Sequence, residues 1–188
     1  MRALIDDAID LVRLRAKPLA EYRYPHWQLS IVLLLVGLTN SAGADSFTGP
    51  PLARIVFFTV FNGLETVLMA AVMRGWLRFG GWRDDASLWP LVVLAGSLQV
   101  LEPLTSWLDS DLELALAALL SIYTLLVLIV AVAQATGMPR WRVAVGVLLF
   151  LPVGALLLSL MLSLATELDW VTLPTDPPSA APAASTER

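Results

Sequence analysis

The sequence predicts an all-α fold: a polytopic membrane helix bundle with five transmembrane helices, a short N-terminal amphipathic helix and a disordered C-terminal tail. The first observation behind this prediction is composition. Of 188 residues, 57% are hydrophobic and 15% are charged, whereas soluble proteins average about 45–50% apolar and about 25% charged residues. The second is length, because the apolar runs 114–136 and 141–165 would each cross a hydrocarbon core about 30 Å thick as helices. The third is that basic residues occur on alternate connections.

The N-terminal segment, residues 1–26, is predicted to contain a cytoplasmic amphipathic helix. Apolar side chains recur at helical spacing over residues 3–16, and Asp6, Asp7 and Asp10 fall largely on the other face. Two roles fit this pattern: a helix packed under the bundle or lying at the cytoplasmic interface, and a docking helix for a soluble partner. The segment lacks the apolar core and cleavage site of a signal peptide. We therefore expect the first span to act as an uncleaved anchor.

The membrane domain is predicted to cover residues 27–170. Each span in it is an apolar stretch bounded by a turn that is rich in glycine, proline or charged residues. The tail, residues 171–188, is rich in Pro, Ala and Ser and lacks apolar periodicity, which is typical of disorder. In chain order, the predicted spans cover residues 27–44, 52–76, 88–108, 114–136 and 141–165.

The distribution of basic residues predicts the orientation of the chain. Ten of the twelve Lys and Arg residues fall on one side of the five-span arrangement, and the positive-inside rule assigns that side to the cytoplasm. The N-terminus is thus predicted to be cytoplasmic and the C-terminus periplasmic or outside. Six of the seven tryptophans fall at predicted span ends, where aromatic rings prefer to lie. Arginine makes up eleven of the twelve basic residues, and this usage favours a GC-rich genome and a bacterial inner (cytoplasmic) membrane.

The residue types that carry most enzyme chemistry are scarce. The chain has no cysteine and one histidine, which excludes disulfides and thiolate metal ligands and leaves little for a metal centre. Neither a Gly-rich phosphate loop nor a Ser/His arrangement occurs. We predict that the protein is not an enzyme, has no cofactor or metal and binds no nucleic acid. A membrane enzyme acting on lipid would need an interfacial acid, and the nearest acidic pair, Glu167 and Asp169, is expected to be solvated.

Polar side chains inside the predicted spans mark a candidate intramembrane polar site. Glu65 and Glu102 are ionisable, and each costs about 2.5–3.5 kcal/mol in a span. Asn62 precedes Glu65 by three residues and Gln99 precedes Glu102 by three, so each pair shares a helix face. With Asn40 these groups would form a track from the outer face to a depth of about 20 Å. Three roles are open: hydrogen bonds that hold three helices in register, a proton or small-solute pathway, and contact with a partner's span.

Four sequence motifs resemble those of the Yip family, five-span proteins named for the Ypt/Rab-interacting proteins. They are Phe79-Gly80-Gly81, Pro103, Ile122-Tyr123 and the segment 137–144, Gly-Met-Pro-Arg-Trp-Arg-Val-Ala. The chain is similar to a bacterial member of that family over nearly all of the membrane domain. The resemblance implies a cytoplasmic N-terminus, a C-terminus across the membrane, and a role in membrane organisation, trafficking or partner assembly. It implies no catalytic residue.

These observations together predict a non-catalytic, Yip-like integral membrane protein that acts as a scaffold or accessory subunit in membrane organisation or assembly. Its expected partners are the lipid bilayer and either another membrane protein or further copies of the chain in a homo-oligomer. The alternative is a small transporter or channel that uses the polar track around Glu65 and Glu102.

Overall fold

The computed structural model describes residues 1–43, 49–105, 110–168 and 170. Regular secondary structure within these ranges is helical, without strands, so the all-α class is confirmed. The predicted tail, residues 171–188, lies outside the described residues. The helices are α1 (Arg2–Val12), a 3-10 turn (Leu19–Glu21), α2 (His26–Gly43), α3 (Pro51–Phe79), α4 (Trp89–Gly96), a 3-10 segment (Ser97–Thr105), α5 (Ser110–Thr136) and α6 (Arg140–Glu167).

Among the described residues, three helices are long and apolar enough to cross a membrane, namely α3, the Leu114–Thr136 part of α5, and α6. They coincide with the second, fourth and fifth predicted spans and are compatible with a membrane protein. Helices α2 and α4 are not among them. Helix α2 has 18 residues with polar side chains near both ends, and the apolar helix at Trp89–Leu101 is shorter. We therefore treat the crossings by α2 and by α4 as a proposal.

Proline and glycine set the ends of the long helices. Helix α3 begins at Pro51, a position where the missing N–H of proline leaves no helical bond unmade. It ends just before Gly80, and the next residue, Gly81, has a φ of 93°. Helix α5 is followed by Gly137 with a φ of 69°. Glycine adopts such left-handed backbone at little cost, so both chain reversals occur where the sequence allows them.

The third predicted span, residues 88–108, is α-helical over only part of its length. Helix α4 has 8 residues and continues as a 9-residue 3-10 segment, although 3-10 runs beyond three or four residues are uncommon. Where the helix changes, the Ser97 hydroxyl donates to the carbonyl of Leu94 at 2.6 Å, and a serine that binds nearby backbone competes with regular helix. Pro103, within the segment, has no N–H to donate. Hydropathy alone does not reveal this change.

The long helices pack in a closed ring. Helix α3 makes extensive contacts with α2 and α6, α5 joins α6 to the 3-10 segment, and that segment packs back on α2. Several side chains between them are at most 1% exposed, among them Leu91, Val93, Val127 and Val143. The outer surface carries leucines instead of polar residues, as at Leu148, which is 61% exposed. Exposed leucines are favourable in the hydrocarbon of a membrane, because lipid tails are as apolar as leucine.

Gly37 allows a close approach of α2 to α3. A Cβ atom at this position would lie 2.7 Å from the Cα and 2.8 Å from the amide nitrogen of Thr59. Small residues of this kind let helix backbones meet inside a membrane. Further along the same interface, an Arg54 guanidinium nitrogen donates to the carbonyl of Ser41 at 2.5 Å. Backbone contact and a charged hydrogen bond thus both join α2 to α3.

Helix α1 is shorter than predicted, and its buried face includes one polar residue that was predicted on the other side, Asp7. It packs against α4 and α5 and ends at Val12 rather than near residue 16, with Leu14 at a φ of 59°. Asp7, predicted to lie on the outer face, is only 6% exposed, whereas Ile5 is 56% exposed. Leu4 and Leu11, both predicted on the apolar face, are buried at 6% and 2% exposure. Asp7 departs from the prediction because its partners come from beyond the helix, and the periodicity of one helix cannot reveal them.

Asp7 is the centre of a hydrogen-bond network that fixes the N-terminal segment. Lys17 Nζ donates to its Oδ1 at 2.5 Å, and the Tyr24 hydroxyl donates to its Oδ2. The hydrogen bond and the charge of Asp7 raise the pKa of Lys17; burial, followed by the bond to Asp7, raises the pKa of Tyr24. Both shifts favour the protonated forms. While Asp7 is ionised, the stability linked to these two shifts is fully present below about pH 10 and is lost as the pH rises through the folded-state pKa values of Lys17 and Tyr24.

The segment that follows α1 is also bound to α5. Gln134 Oε1 accepts the Ala16 N–H at 2.8 Å, and Gln134 Nε2 donates to the carbonyl of Leu14 at 3.1 Å. The Tyr123 hydroxyl donates to the carbonyl of Val12. These contacts bring α1 to the end of the bundle where α3 and α5 finish and α4 and α6 begin, which we call the α1 end.

Candidate functional site

The predicted polar residues on α2 and α3 form a hydrogen-bonded pair. Asn40 Nδ2 donates to Asn62 Oδ1 at 3.3 Å, and Asn62 is only 4% exposed. The pair lies about one helical turn from the close contact of Gly37 with Thr59. The Asn62 amide nitrogen and the Thr59 hydroxyl are buried without a hydrogen-bond partner in the described part of the chain. This arrangement joins α2 to α3.

Glu65 and Gln99 line one cavity of about 140 Å³. Helix α3 contributes Glu65, the 3-10 segment contributes Gln99, and α5 and α6 supply further walls. Within the described residues neither side chain makes a hydrogen bond. The hydroxyls of Thr66 and Thr124 also line the cavity, but they donate to carbonyls of their own helices. The Glu65 carboxyl therefore receives no hydrogen bond from any residue that the structure describes.

A second cavity, of about 390 Å³, adjoins the first at Glu65 and lies between α3, α5 and α6. We call it the Glu65 groove. Leu151 and Leu158 line it and are 57% and 40% exposed, so the groove opens on the apolar outer surface of the bundle. Glu65 thus lines both the cavity that it shares with Gln99 and the Glu65 groove.

A third cavity, of about 190 Å³, adjoins the first at Gln99 and Thr124. Leu125 lines all three cavities. Together they follow α5 in series, with Gln99 near one end of the series and Glu65 further along it.

The structure divides the predicted polar track into two parts. Asn40 and Asn62 bond to each other, and Glu65 and Gln99 line the cavities beyond α3. The backbone of Glu102 belongs to the 3-10 segment, but its side chain lies outside the described part of the structure. The predicted site is therefore one helix-joining pair and one carboxyl-lined cavity.

Sequence reasoning missed two lining residues, Thr66 and Thr124. Thr66 follows Glu65 directly, which was the available signal for it. Thr124 lies in the fourth predicted span, and nothing in a single sequence indicates which residues of that span meet α3. Both hydroxyls are bonded to their own helices, so they shape the cavity rather than solvate the carboxyl.

The chemistry available here is that of one carboxyl and one amide in apolar surroundings. A carboxylate accepts hydrogen bonds, and a protonated carboxyl donates one. Among the described residues that line the three cavities, Glu65 is the only ionisable one. In the ranges that the structure describes, no three His, Asp or Glu residues come together to hold a metal ion. A carboxylate at Glu65 can accept a hydrogen bond or pair with a cationic group.

Comparisons with protein-family models, with curated proteins and with solved structures find no match to this chain. The resemblance to the Yip family therefore rests on sequence motifs and stays a prediction. Two of those motifs are in contact, because Arg142 Nη1, in the segment 137–144, donates to the carbonyl of Gly80 at 3.4 Å. This contact joins the end of α3 to the start of α6.

Proposed function

We propose that the chain crosses the membrane five times, with α2 and α4 as the two additional crossings. Helix α2 has 18 residues and rises about 27 Å at 1.5 Å per residue. The 8 residues of α4 and the 9 of the 3-10 segment rise about 12 Å and about 18 Å. Each path is close to the hydrocarbon thickness of about 30 Å. The closed ring supports the proposal, since α2 and the 3-10 segment pack beside the apolar helices.

In the proposed orientation the α1 end faces the cytoplasm, and the membrane is a bacterial inner membrane. The ends of α3 and α6 at that side carry Arg74, Arg78 and Arg142, whereas Arg54 lies near the opposite end of α3. This asymmetry is the one that the positive-inside rule associates with the cytoplasmic side. The N-terminus is then cytoplasmic, and the chain beyond α6 is periplasmic.

The proposed role is that of a non-catalytic scaffold or accessory subunit that assembles with another membrane protein. The observation that carries it is the Glu65 groove, in which a carboxyl without a partner in the described residues lines an apolar opening. An ionisable group in a span costs about 2.5–3.5 kcal/mol. A partner helix with an amide, hydroxyl or basic side chain would supply the missing donor and offset about 0.6–2 kcal/mol of that cost. The groove is therefore proposed to hold a transmembrane helix of the partner.

Membership of the Yip family forms part of this proposal. Its support is the set of shared motifs together with the five crossings and the orientation proposed above. It would assign the protein to membrane organisation, trafficking or the assembly of partner membrane proteins.

Single-cysteine crosslinking tests the proposed partner, because the chain has no cysteine of its own. Leu158→Cys introduces a thiol in the Glu65 groove, and Leu35→Cys introduces one on α2, where Leu35 is 46% exposed, as a matched control. Crosslinking in native membranes should join one defined protein to the Leu158→Cys variant and not to the control.

Adding Glu65→Leu to the Leu158→Cys variant should lower the crosslinked product about tenfold, because the shared hydrogen bond is lost. Glu65→Gln keeps a hydrogen-bonding group and should retain part of the product. An unchanged yield with Glu65→Leu would contradict the role of the carboxyl. Absence of any product from Leu158→Cys would contradict the partner itself, and a product the size of two copies would replace the accessory role with self-assembly.

A small transporter or channel is the second candidate function, and the three adjoining cavities along α5 favour it. Glu65 and Gln99 would then line the path of a proton or a small polar solute. In proteoliposomes, a transporter of this kind should lose pH-dependent flux when Glu65 and Glu102 are replaced by glutamine. An accessory subunit should keep its assembly with the partner and give no flux that depends on these residues.

A further inference from the structure

A basic and aromatic surface lies at the α1 end, where α3 finishes and α6 begins. Arg78 and Phe79 belong to the last turn of α3, and Arg140, Trp141 and Arg142 form the first turn of α6. Phe79 is 84% exposed and Trp141 is 65% exposed. We call these five residues the α3–α6 basic surface. Both helices are long and apolar enough to cross a membrane, so this surface terminates two candidate spans.

Arg142 is held in a fixed position at the centre of the surface. Its guanidinium carbon lies 5.8 Å from the ring centroid of Trp76, and its Nη1 donates to the carbonyl of Gly80 at 3.4 Å. Trp76 Nε1 in turn donates to the backbone carbonyl of Arg142 at 2.9 Å. Gly80 has no Cβ, and the guanidinium occupies the space that one would fill. Much of the side-chain entropy of Arg142 is therefore already lost before a ligand binds.

The positive charge of this surface is only partly neutralised. Asp85, which is 91% exposed, pairs with Arg78 at 2.9 Å and with Arg74 at 3.5 Å. Within the described ranges, neither Arg140 nor Arg142 forms an ion pair with a carboxylate. The Nε of Arg142 is also buried there without a hydrogen-bond partner. Arg140 and Arg142, two residues apart in the first turn of α6, thus carry positive charge that no described carboxylate neutralises.

We propose that the α3–α6 basic surface binds the phosphate of an anionic membrane lipid. A planar guanidinium matches a pair of phosphate oxygens, and Arg140 and Arg142 each carry one guanidinium. Because α3 and α6 are candidate spans, Phe79 and Arg140 lie at headgroup depth in a bilayer. The exposed rings of Phe79 and Trp141 then contact the glycerol and upper acyl region, where aromatic side chains prefer to lie. A lipid contacts both the arginines and the aromatic rings of the surface, whereas free phosphate contacts only the arginines.

Native mass spectrometry of the full-length protein in detergent tests this proposal. The protein is incubated with phosphatidylglycerol or with phosphatidylcholine, and retained lipid is counted. We expect selective retention of phosphatidylglycerol and a loss of about tenfold in affinity for it in the double variant Arg140→Gln, Arg142→Gln. Arg140→Gln alone should also weaken retention, and it removes an exposed side chain that forms no hydrogen bond or ion pair with the described residues. Arg13→Gln, exposed at the same end, is the matched control and should bind as the parent protein does.

A second arm separates a lipid from a soluble phosphate. Phe79→Ser should weaken the retention of phosphatidylglycerol, and an excess of inorganic phosphate should leave the bound lipid in place. Displacement of the lipid by inorganic phosphate would assign the arginines to a soluble anion and overturn the proposal. Equal retention of phosphatidylcholine, unchanged retention by the double arginine variant, or an equal loss in Arg13→Gln would overturn it as well.

Discussion

Replacing Gly37 with leucine should destabilise the bundle by at least about 1–3 kcal/mol, the usual cost of overpacking. Even the first side-chain atom would lie 2.7 Å and 2.8 Å from backbone atoms of Thr59. Backbone atoms cannot rotate away as the end of a flexible side chain can. The helices must therefore separate, and the hydrogen bond from Asn40 to Asn62, about one turn away, should be lost with the contact. Thermal unfolding of the detergent-solubilised protein measures the effect.

Gly75→Leu is the control for this prediction. A Cβ at Gly75 meets no atom within 4 Å, and leucine favours helix over glycine by several tenths of a kcal/mol, about 0.8 at most. This variant should be as stable as the parent protein or more stable. Equal unfolding temperatures for Gly37→Leu and Gly75→Leu would show that α2 and α3 do not meet as described.

Replacing Asp7 with leucine should release the N-terminal segment from the bundle. The substitution removes the acceptor of both Lys17 Nζ and the Tyr24 hydroxyl, and a donor left buried without a partner costs about 1–3 kcal/mol. Limited trypsin digestion after Arg13 and Arg15 measures the release, because cleavage requires several residues to leave their packed conformation. We expect the cleavage rate to rise about tenfold or more.

Asp6→Leu provides the matched control for Asp7→Leu. Asp6 is exposed and neighbours Asp7 on the same helix, so its replacement makes the same change of charge without breaking the network. Its cleavage rate should stay close to that of the parent protein. If both variants were cleaved equally fast, net charge rather than the Asp7 network would hold the segment.

The apolar helices could be predicted from the sequence because hydrocarbon imposes a fixed length and excludes charge. Helices α3, α5 and α6 accordingly lie where the apolar runs are. The burial of Asp7 on α1 could not be predicted, since it depends on Lys17 and Tyr24, which follow the helix. The contact between Gly80 and Arg142 joins residues 62 positions apart and has no local signature.

The candidate site was predictable as a set of polar residues but not as an arrangement. Asn62 and Glu65 are three residues apart, which separates their directions around the helix by about 60°. In a ring of helices this angle is enough to direct them to different neighbours. Asn62 meets Asn40 on α2, whereas Glu65 lines cavities walled by α5 and α6. The i, i+3 spacing indicates that two residues share a side of the helix, but it does not indicate which of two neighbouring helices each residue contacts.

The central claim is that the chain crosses the membrane five times. Locating the two termini does not test this number, because three and five crossings both leave the termini on opposite sides. Labelling of single cysteines in intact cells with a membrane-impermeant maleimide does test it. The sites are Glu21→Cys and Pro50→Cys on either side of α2, and Ser87→Cys and Asp111→Cys on either side of α4 and the 3-10 segment.

Five crossings predict that Pro50→Cys and Asp111→Cys react from outside, and that Glu21→Cys and Ser87→Cys react only after the membrane is permeabilised. The same accessibility at Glu21→Cys and Pro50→Cys, or at Ser87→Cys and Asp111→Cys, would contradict the corresponding crossing.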